Sequence, residues 1–136
     1  MSSIVLGMGN DAVMFGDRDA SNVPDDDLIQ LVNPAAVNIS AFDLSVLRGD
    51  GIFEATTVFK GLENHLRRLS DSAWLMDLPT PNIAAITRGI EKVMSAYDDP
   101  EPAPLLRIIV SRGLDQETGI GKAAAASGNT APTIFI

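Results

Sequence analysis

The sequence predicts an α+β domain of two layers, in which two helices cover one face of a mainly antiparallel sheet. Two observations carry this prediction. Strand-like segments come first and last in the chain, and two segments with helical apolar spacing lie between them. With 136 residues, 46% hydrophobic and 21% charged, the chain is predicted to be one domain, 1–136, with a sizeable core.

The N-terminal segments 3–6 and 12–15 are predicted to be two short strands. Gly7 and Gly9 lie between them as a lone G-x-G. No third glycine or helix follows at the spacing of a dinucleotide-binding fingerprint, which favours a hairpin turn. The acidic run 25–27 lacks the spacing and closing glutamate of a calcium loop. It is predicted to be a solvated loop or a helix N-terminus after Pro24.

Two helices are predicted next, over 63–76 and over a segment that begins near Thr80, with Thr80 as the cap and Pro81 in the first turn. Trp74 is expected to pack against the domain. The segment 105–113 is predicted to be a buried strand, 114–130 a loop and 132–136 a final strand. The apolar positions at helical spacing are Leu66, Leu69, Ala73 and Met76 in the first helix, and Ile83, Ile86, Ile90, Val93 and Tyr97 in the second.

Composition excludes several classes of protein. The net charge of -8 argues against nucleic-acid binding, which usually needs a basic surplus, but it leaves room for a small anionic ligand. The absence of cysteine rules out disulfides and thiolate chemistry, and a single histidine rules out a multi-histidine metal site. No signal peptide or membrane span is visible, so a cytoplasmic protein without a membrane partner is expected.

His65 and Arg68 lie three residues apart on the first helix and therefore share a face at the border of the core. An arginine there presents a planar fork of donors that suits phosphate or carboxylate. The alternative is a surface arginine beside a histidine bonded to backbone. Arg67 points elsewhere and is expected to be solvated.

Arg107 lies in the middle of an apolar strand, on a face with Ile109 and Ser111. Its charge needs a partner or a cavity, so an ion pair within the sheet and a ligand role both stay open. Arg112 lies on the opposite face and is expected to be structural. No catalytic residue is predicted, because Asp50 and Glu54 are too few for a carboxylate pair and no serine has a suitably placed histidine.

Three segments together, 42-FDLSVLRGDGIFEATTVFKG-61, 64-NHLRRLSDSA-73 and 106-LRIIVSRG-113, resemble the fold-type IV pyridoxal-phosphate enzymes. This family contains branched-chain and D-amino acid aminotransferases and aminodeoxychorismate lyase. The resemblance runs from about Ile39 to Gly113, with the final PTIFI, and corresponds to the family's N-terminal domain. Each segment alone is a weak signal, and their combination is fairly specific.

The resemblance implies pyridoxal 5'-phosphate as the cofactor and a role for five residues. Arg68 of the H-x-x-R-L motif would hold the cofactor phosphate, and His65 would support that helix. Arg48 and Phe53, on either side of the Gly-Asp-Gly turn, would line the substrate pocket, and Arg107 would meet a substrate carboxylate. The resemblance also implies a small anionic substrate and a homodimer.

The RGDGIFE form looks more like the lyase branch, which converts aminodeoxychorismate to pyruvate and 4-aminobenzoate, a folate precursor. An amino acid aminotransferase is the alternative within the family. A non-catalytic fragment that acts as a binding or interaction domain is the alternative outside it.

Two features depart from the family pattern. The family's Schiff-base lysine lies in a second domain, and Lys60, Lys92 and Lys122 do not match its motif. The segment between the strand and the H-x-x-R-L helix is also short, since Gly61 runs directly into Leu62. We therefore expect an incomplete chain that lacks the C-terminal domain and is inactive alone.

Overall fold

One antiparallel sheet organises the residues that the structure, a computed structural model, describes: 4–57, 61–99, 104–115 and 130–136. All neighbouring strands pair antiparallel, in the order β2-β1-β5-β4-β3. The predicted α+β class with a mainly antiparallel sheet is confirmed. The strands are β1 (Leu6–Gly9), β2 (Ile29–Val32), β3 (Gly51–Thr56), β4 (Leu106–Asp115) and β5 (Thr130–Phe135).

Two long helices form the second layer and bury their apolar faces against the sheet. Leu69 of the first helix and Ile86 of the second are fully buried in one cluster with Ile108 and Val110 of β4. The two helices predicted from apolar spacing are thus confirmed. The described helices are α1 (Asp11–Met14), α2 (Asp25–Leu28), α3 (Leu44–Arg48), α4 (Leu62–Leu75) and α5 (Ile83–Ala96).

The opposite face of the sheet is only partly covered. Phe53, Ile109 and Phe135 lie side by side across β3, β4 and β5, and the first two are exposed. Helix α3 covers one end of this face, where Ser45 and Ser111 approach a shared partner. Because side chains alternate between the faces of a strand, β4 carries its core and its open-face residues in turn.

The predicted strand at 12–15 is wrong, since residues 12–14 belong to the short helix α1. The Asn10 side chain caps this helix by accepting from the Ala12 N–H at 3.0 Å, and the consecutive residues Val13 and Met14 are both buried. The predicted hairpin turn at Gly7 and Gly9 is wrong as well, because both belong to β1. A Cβ on Gly9 would lie 2.4 Å from Ile134 Cγ2, so the glycine allows close packing.

The start of α5 also differs from the prediction. Asn82, and not Thr80, caps the helix: its side chain accepts from the Ala85 N–H at 3.2 Å and donates to the Arg18 carbonyl at 2.9 Å. Pro81 precedes the cap and bridges to Phe15. Of the two alternatives after Pro24, a solvated loop and a helix N-terminus, the structure shows the helix α2.

Two further expectations concern the ends of elements. Trp74 does not pack against the described residues, because 81% of it is exposed. Of the predicted loop 114–130, only its two ends belong to described strands, and 116–129 lie outside the described residues. Among the described helices, none is long and apolar enough to cross a membrane.

Candidate functional site

The Gly-Asp-Gly turn that joins α3 to β3 is held by a buried ion cluster. Asp50 Oδ2 accepts from Arg48 at 2.9 Å and from Arg112 Nε at 2.8 Å. Gly49 adopts φ +69°, a left-handed conformation that suits glycine and ends α3. Arg48, a predicted substrate-binding residue, is therefore tethered to the turn, while its side chain stays partly exposed.

Arg112 ties this turn to the end of α4. Its terminal nitrogens donate to the Asp77 carbonyl at 2.9 Å and to the Met76 carbonyl. Burial raises the pKa of Asp50, but the hydrogen bonds and charges of Arg112 and Arg48 outweigh it, and the pKa lies below its ordinary value. Arg112 is buried and fully engaged, in line with its predicted structural role.

Phe53 and Arg107 meet on the open face of the sheet. The Arg107 guanidinium carbon lies 5.3 Å from the centre of the Phe53 ring, within the range of a cation–π contact. Both residues line a cavity of about 240 Å³ between α3 and strands β3 and β4, together with Gly49, Gly51 and Ile109. The charge of Arg107 therefore lies beside an aromatic ring at the edge of an open cavity.

Glu54 contacts His65 and Arg68 of α4 on the face of β3 opposite to Phe53. It is only 7% exposed, and its Oε2 lies 2.8 Å from His65 Nδ1. Its Oε1 forms an ion pair with Arg68 Nε at 3.5 Å. The histidine is therefore bonded to a carboxylate, in contrast to the backbone contact considered from the sequence.

Sequence reasoning missed these roles of Glu54. A charged residue in the apolar run GIFEAT was the available signal, because a buried carboxylate needs partners. It also missed Asp43, a buried residue whose Oδ1 accepts from the Ser45 hydroxyl at 2.6 Å and from the Ser111 hydroxyl. This contact fastens the start of α3 to β4.

The structure arranges the four predicted site residues around the edge strand β3. Arg48 is the last residue of α3, just before the strand begins, and Phe53 of β3 and Arg107 of β4 lie on the open face of the sheet. Arg68 reaches Glu54 on the opposite face, because consecutive residues of a strand point to opposite sides. The predicted residues are therefore near one strand but do not share one face of the sheet.

The described lysine does not offer a free amine. Lys92 contacts the Asp26 carboxylate and donates to the Ile29 carbonyl at 3.0 Å. Lys60 and Lys122 lie outside the described residues. Among the residues that the structure describes, no group of three histidine, aspartate or glutamate side chains could hold a metal ion.

Comparisons with known proteins identify relatives of this chain. It is 34% identical over 116 residues to a bifunctional aminodeoxychorismate lyase / D-amino acid transaminase from Mycobacterium tuberculosis. The matched region covers 79% of this chain and 35% of that protein. No family model matches the chain.

Solved structures share the fold. A fold IV-transaminase from Curtobacterium pusillum aligns with a TM-score of 0.69 and 25% identity over 96% of this chain and 41% of its own. A hypothetical aminotransferase from Mycobacterium tuberculosis, in a form with α-ketoglutarate and PMP bound, aligns with a TM-score of 0.57 and 34% identity over 78% and 35%. The predicted resemblance to the fold-type IV enzymes is confirmed, and the chain spans about a third of the length of the curated relative.

Proposed function

We propose that this relative of the fold-type IV aminotransferases and lyases supplies the phosphate-binding and substrate-facing part of a pyridoxal-phosphate enzyme. The proposed activity of the whole enzyme is aminodeoxychorismate lyase. One observation carries the proposal: Arg48, Phe53, Arg68 and Arg107 lie around a single strand, β3, in a chain whose relatives have this chemistry.

Arg68 fits the phosphate of the cofactor. Its side chain is 67% exposed, its ion pair with Glu54 is formed at Nε, and the planar fork of its guanidinium suits a phosphate. The related structure with PMP bound supports a cofactor of this type. When bound, pyridoxal phosphate supplies the electron sink of the reaction, while the protein binds, orients and excludes water.

Phe53 and Arg107 fit the substrate side. The exposed ring offers a flat apolar surface, and the guanidinium beside it offers paired donors to a carboxylate. Arg48 adds a second cation near the start of β3, where Asp50 limits its movement. Two cations around one strand favour a substrate with more than one negative charge, as aminodeoxychorismate has.

An amino acid transaminase is the second candidate, because the curated relative carries both activities in its name. The products distinguish the two activities in the complete enzyme. A lyase releases pyruvate from aminodeoxychorismate, whereas a transaminase converts an amino acid to its keto acid. We propose a cytoplasmic homodimer for the complete enzyme.

The 136-residue chain is proposed to lack turnover by itself, because none of its three lysines matches the Schiff-base motif of the family it resembles, and Lys92 is engaged by Asp26 and Ile29. Incubation with pyridoxal phosphate, borohydride reduction and intact-mass measurement tests this. We expect the unmodified mass of 14.4 kDa. A stoichiometric cofactor adduct, or steady pyruvate release, would refute the statement.

The phosphate role of Arg68 is tested by comparing the affinities of pyridoxal phosphate and pyridoxal for the chain by equilibrium dialysis. The ratio of the two affinities isolates the phosphate contact. We expect Arg68→Gln to reduce the ratio about tenfold or more, the scale of a lost charge-assisted hydrogen bond. Arg67→Gln is the matched control, since it removes the same charge from the neighbouring position. Equal ratios in both variants would contradict the proposal.

A further inference from the structure

Glu54 is a buried carboxylate that binds two side chains on one turn of α4. Moving an ionised carboxylate out of water is costly unless partners compensate it, and both oxygens of Glu54 have one. His65 and Arg68 are three residues apart, so one carboxylate on β3 reaches both. The contact joins an edge strand to the helix that packs against it.

The contact restricts Arg68 without consuming its binding capacity. Arg68 Nε lies 3.5 Å from Glu54 Oε1 in an ion pair, and a guanidinium has five N–H donors with which to bind an anion. An exposed arginine otherwise loses much rotamer freedom when it binds an anion, and that loss weakens the binding. Holding the guanidinium beside Glu54 before the anion arrives reduces this loss.

The same carboxylate defines the state of the histidine ring. A carboxylate only accepts hydrogen bonds, so His65 Nδ1 must carry the proton that faces Glu54 Oε2. In the neutral ring the proton therefore resides on Nδ1, and Nε2 is left without one. His65 thereby holds Glu54 in place beside Arg68.

We propose that Glu54 is a positioning residue for anion binding: it orients Arg68 through Nε and is itself fixed by His65. This inference rests on the proposed phosphate role of Arg68. It goes beyond that role because it assigns the affinity of the arginine for phosphate to a carboxylate that contacts no ligand. Although the negative charge of Glu54 repels an anion, we expect its orientation of Arg68 to raise the affinity for phosphate overall.

The first experiment measures the same affinity ratio, pyridoxal phosphate over pyridoxal, in Glu54→Gln, with far-UV circular dichroism to confirm folding. We expect the ratio to fall about three- to tenfold, the factor for immobilising one flexible side chain upon binding. An unchanged or higher ratio in Glu54→Gln, with Arg68→Gln impaired, would overturn the inference alone. Equal ratios in the wild type, Arg67→Gln and Arg68→Gln would overturn the proposed function, and the inference with it.

A second measurement does not depend on a folded variant. His65 is the sole histidine, so its ring nitrogens give one unambiguous set of ¹⁵N signals in the wild-type chain. We expect the neutral ring to show the Nδ1–H tautomer. The Nε2–H tautomer would show that the Glu54 contact is absent in solution and would overturn the inference.

Discussion

Replacing Asp50 with asparagine tests whether the buried ion cluster holds the turn before β3. Asp50 and Arg112 are each 9% exposed at the side chain, and Arg112 Nε donates to Asp50 Oδ2 at 2.8 Å. Asparagine keeps the size of the side chain and removes its charge. Arg112 would then be a buried cation without the Asp50 charge, hydrogen-bonded to the amide oxygen and to the carbonyls of Met76 and Asp77.

The expected cost is about 3 kcal/mol at pH 7, the lower part of the range for removing one partner of a buried ion pair. The lower part applies because the two carbonyls still accept from Arg112. Asp50 Oδ1 is buried and has no hydrogen-bond partner among the described residues, so an amide nitrogen there replaces no existing hydrogen bond. For a chain of this size, the melting temperature should fall by roughly 10 °C.

The pH dependence gives this prediction a sign. The pKa of Asp50 is lower in the folded chain than its ordinary value of 3.8, so the carboxylate adds stability above that pH. The added stability is lost as the pH falls through the folded-state pKa. The difference between the wild type and Asp50→Asn should therefore be constant near neutrality and shrink below about pH 3.8.

The assay is urea unfolding at several pH values, monitored by circular dichroism. The free energy of unfolding of each variant is then compared as a function of pH. Asp26→Asn is the control, because it removes a carboxylate that contacts Lys92 but is 92% exposed. It should leave the midpoint nearly unchanged. Equal effects of the two substitutions, or an Asp50→Asn effect that does not shrink as the pH falls below about 3.8, would refute the reasoning.

Three further predictions concern packing and capping, each measured by urea unfolding. Leu69→Ala should lower the free energy of unfolding by about 2–5 kcal/mol because Leu69 is fully buried. Trp74→Ala, at an exposed position of the same helix, should change it by less than about 0.5 kcal/mol. Similar effects of the two substitutions would show that α4 does not bury the face that carries Leu69. Asn82→Ala should cost about 1–2 kcal/mol by removing the cap of α5, and a cost from Thr80→Val alone would restore Thr80 as the cap. Gly9→Ala should cost about 1–3 kcal/mol because its Cβ would overlap Ile134, and a neutral result would show that β1 and β5 are farther apart.

Local sequence patterns were sufficient for the parts of the fold that depend on neighbours along the chain. Apolar residues at helical spacing predicted α4 and α5, because a helix buries residues three and four apart. The apolar run before Gly113 predicted β4 in the same way. The predictions were wrong for short segments, which give too few residues to show a period. At 12–15, for example, the Asn10 side chain caps a helix where a strand was predicted.

The sequence offered candidate site residues but did not predict their contacts. The motifs around Arg48, Phe53, Arg68 and Arg107 identified the family resemblance from residue order alone. The partners of these residues were hidden, because Asp50 and Arg112 are 62 positions apart and become neighbours only when β3 and β4 pair. Glu54 likewise gains His65 and Arg68 only when α4 packs beside β3.

The sequence by itself determined the fold class, the two long helices and the family that the chain resembles, since each depends on residue types at short, regular spacing. The tertiary structure decided which charges are paired and which arginines stay exposed. Those outcomes depend on burial and on distances between elements remote in sequence. Glu54 shows the difference: its charge is visible in the sequence, but its role follows from the two side chains that surround it.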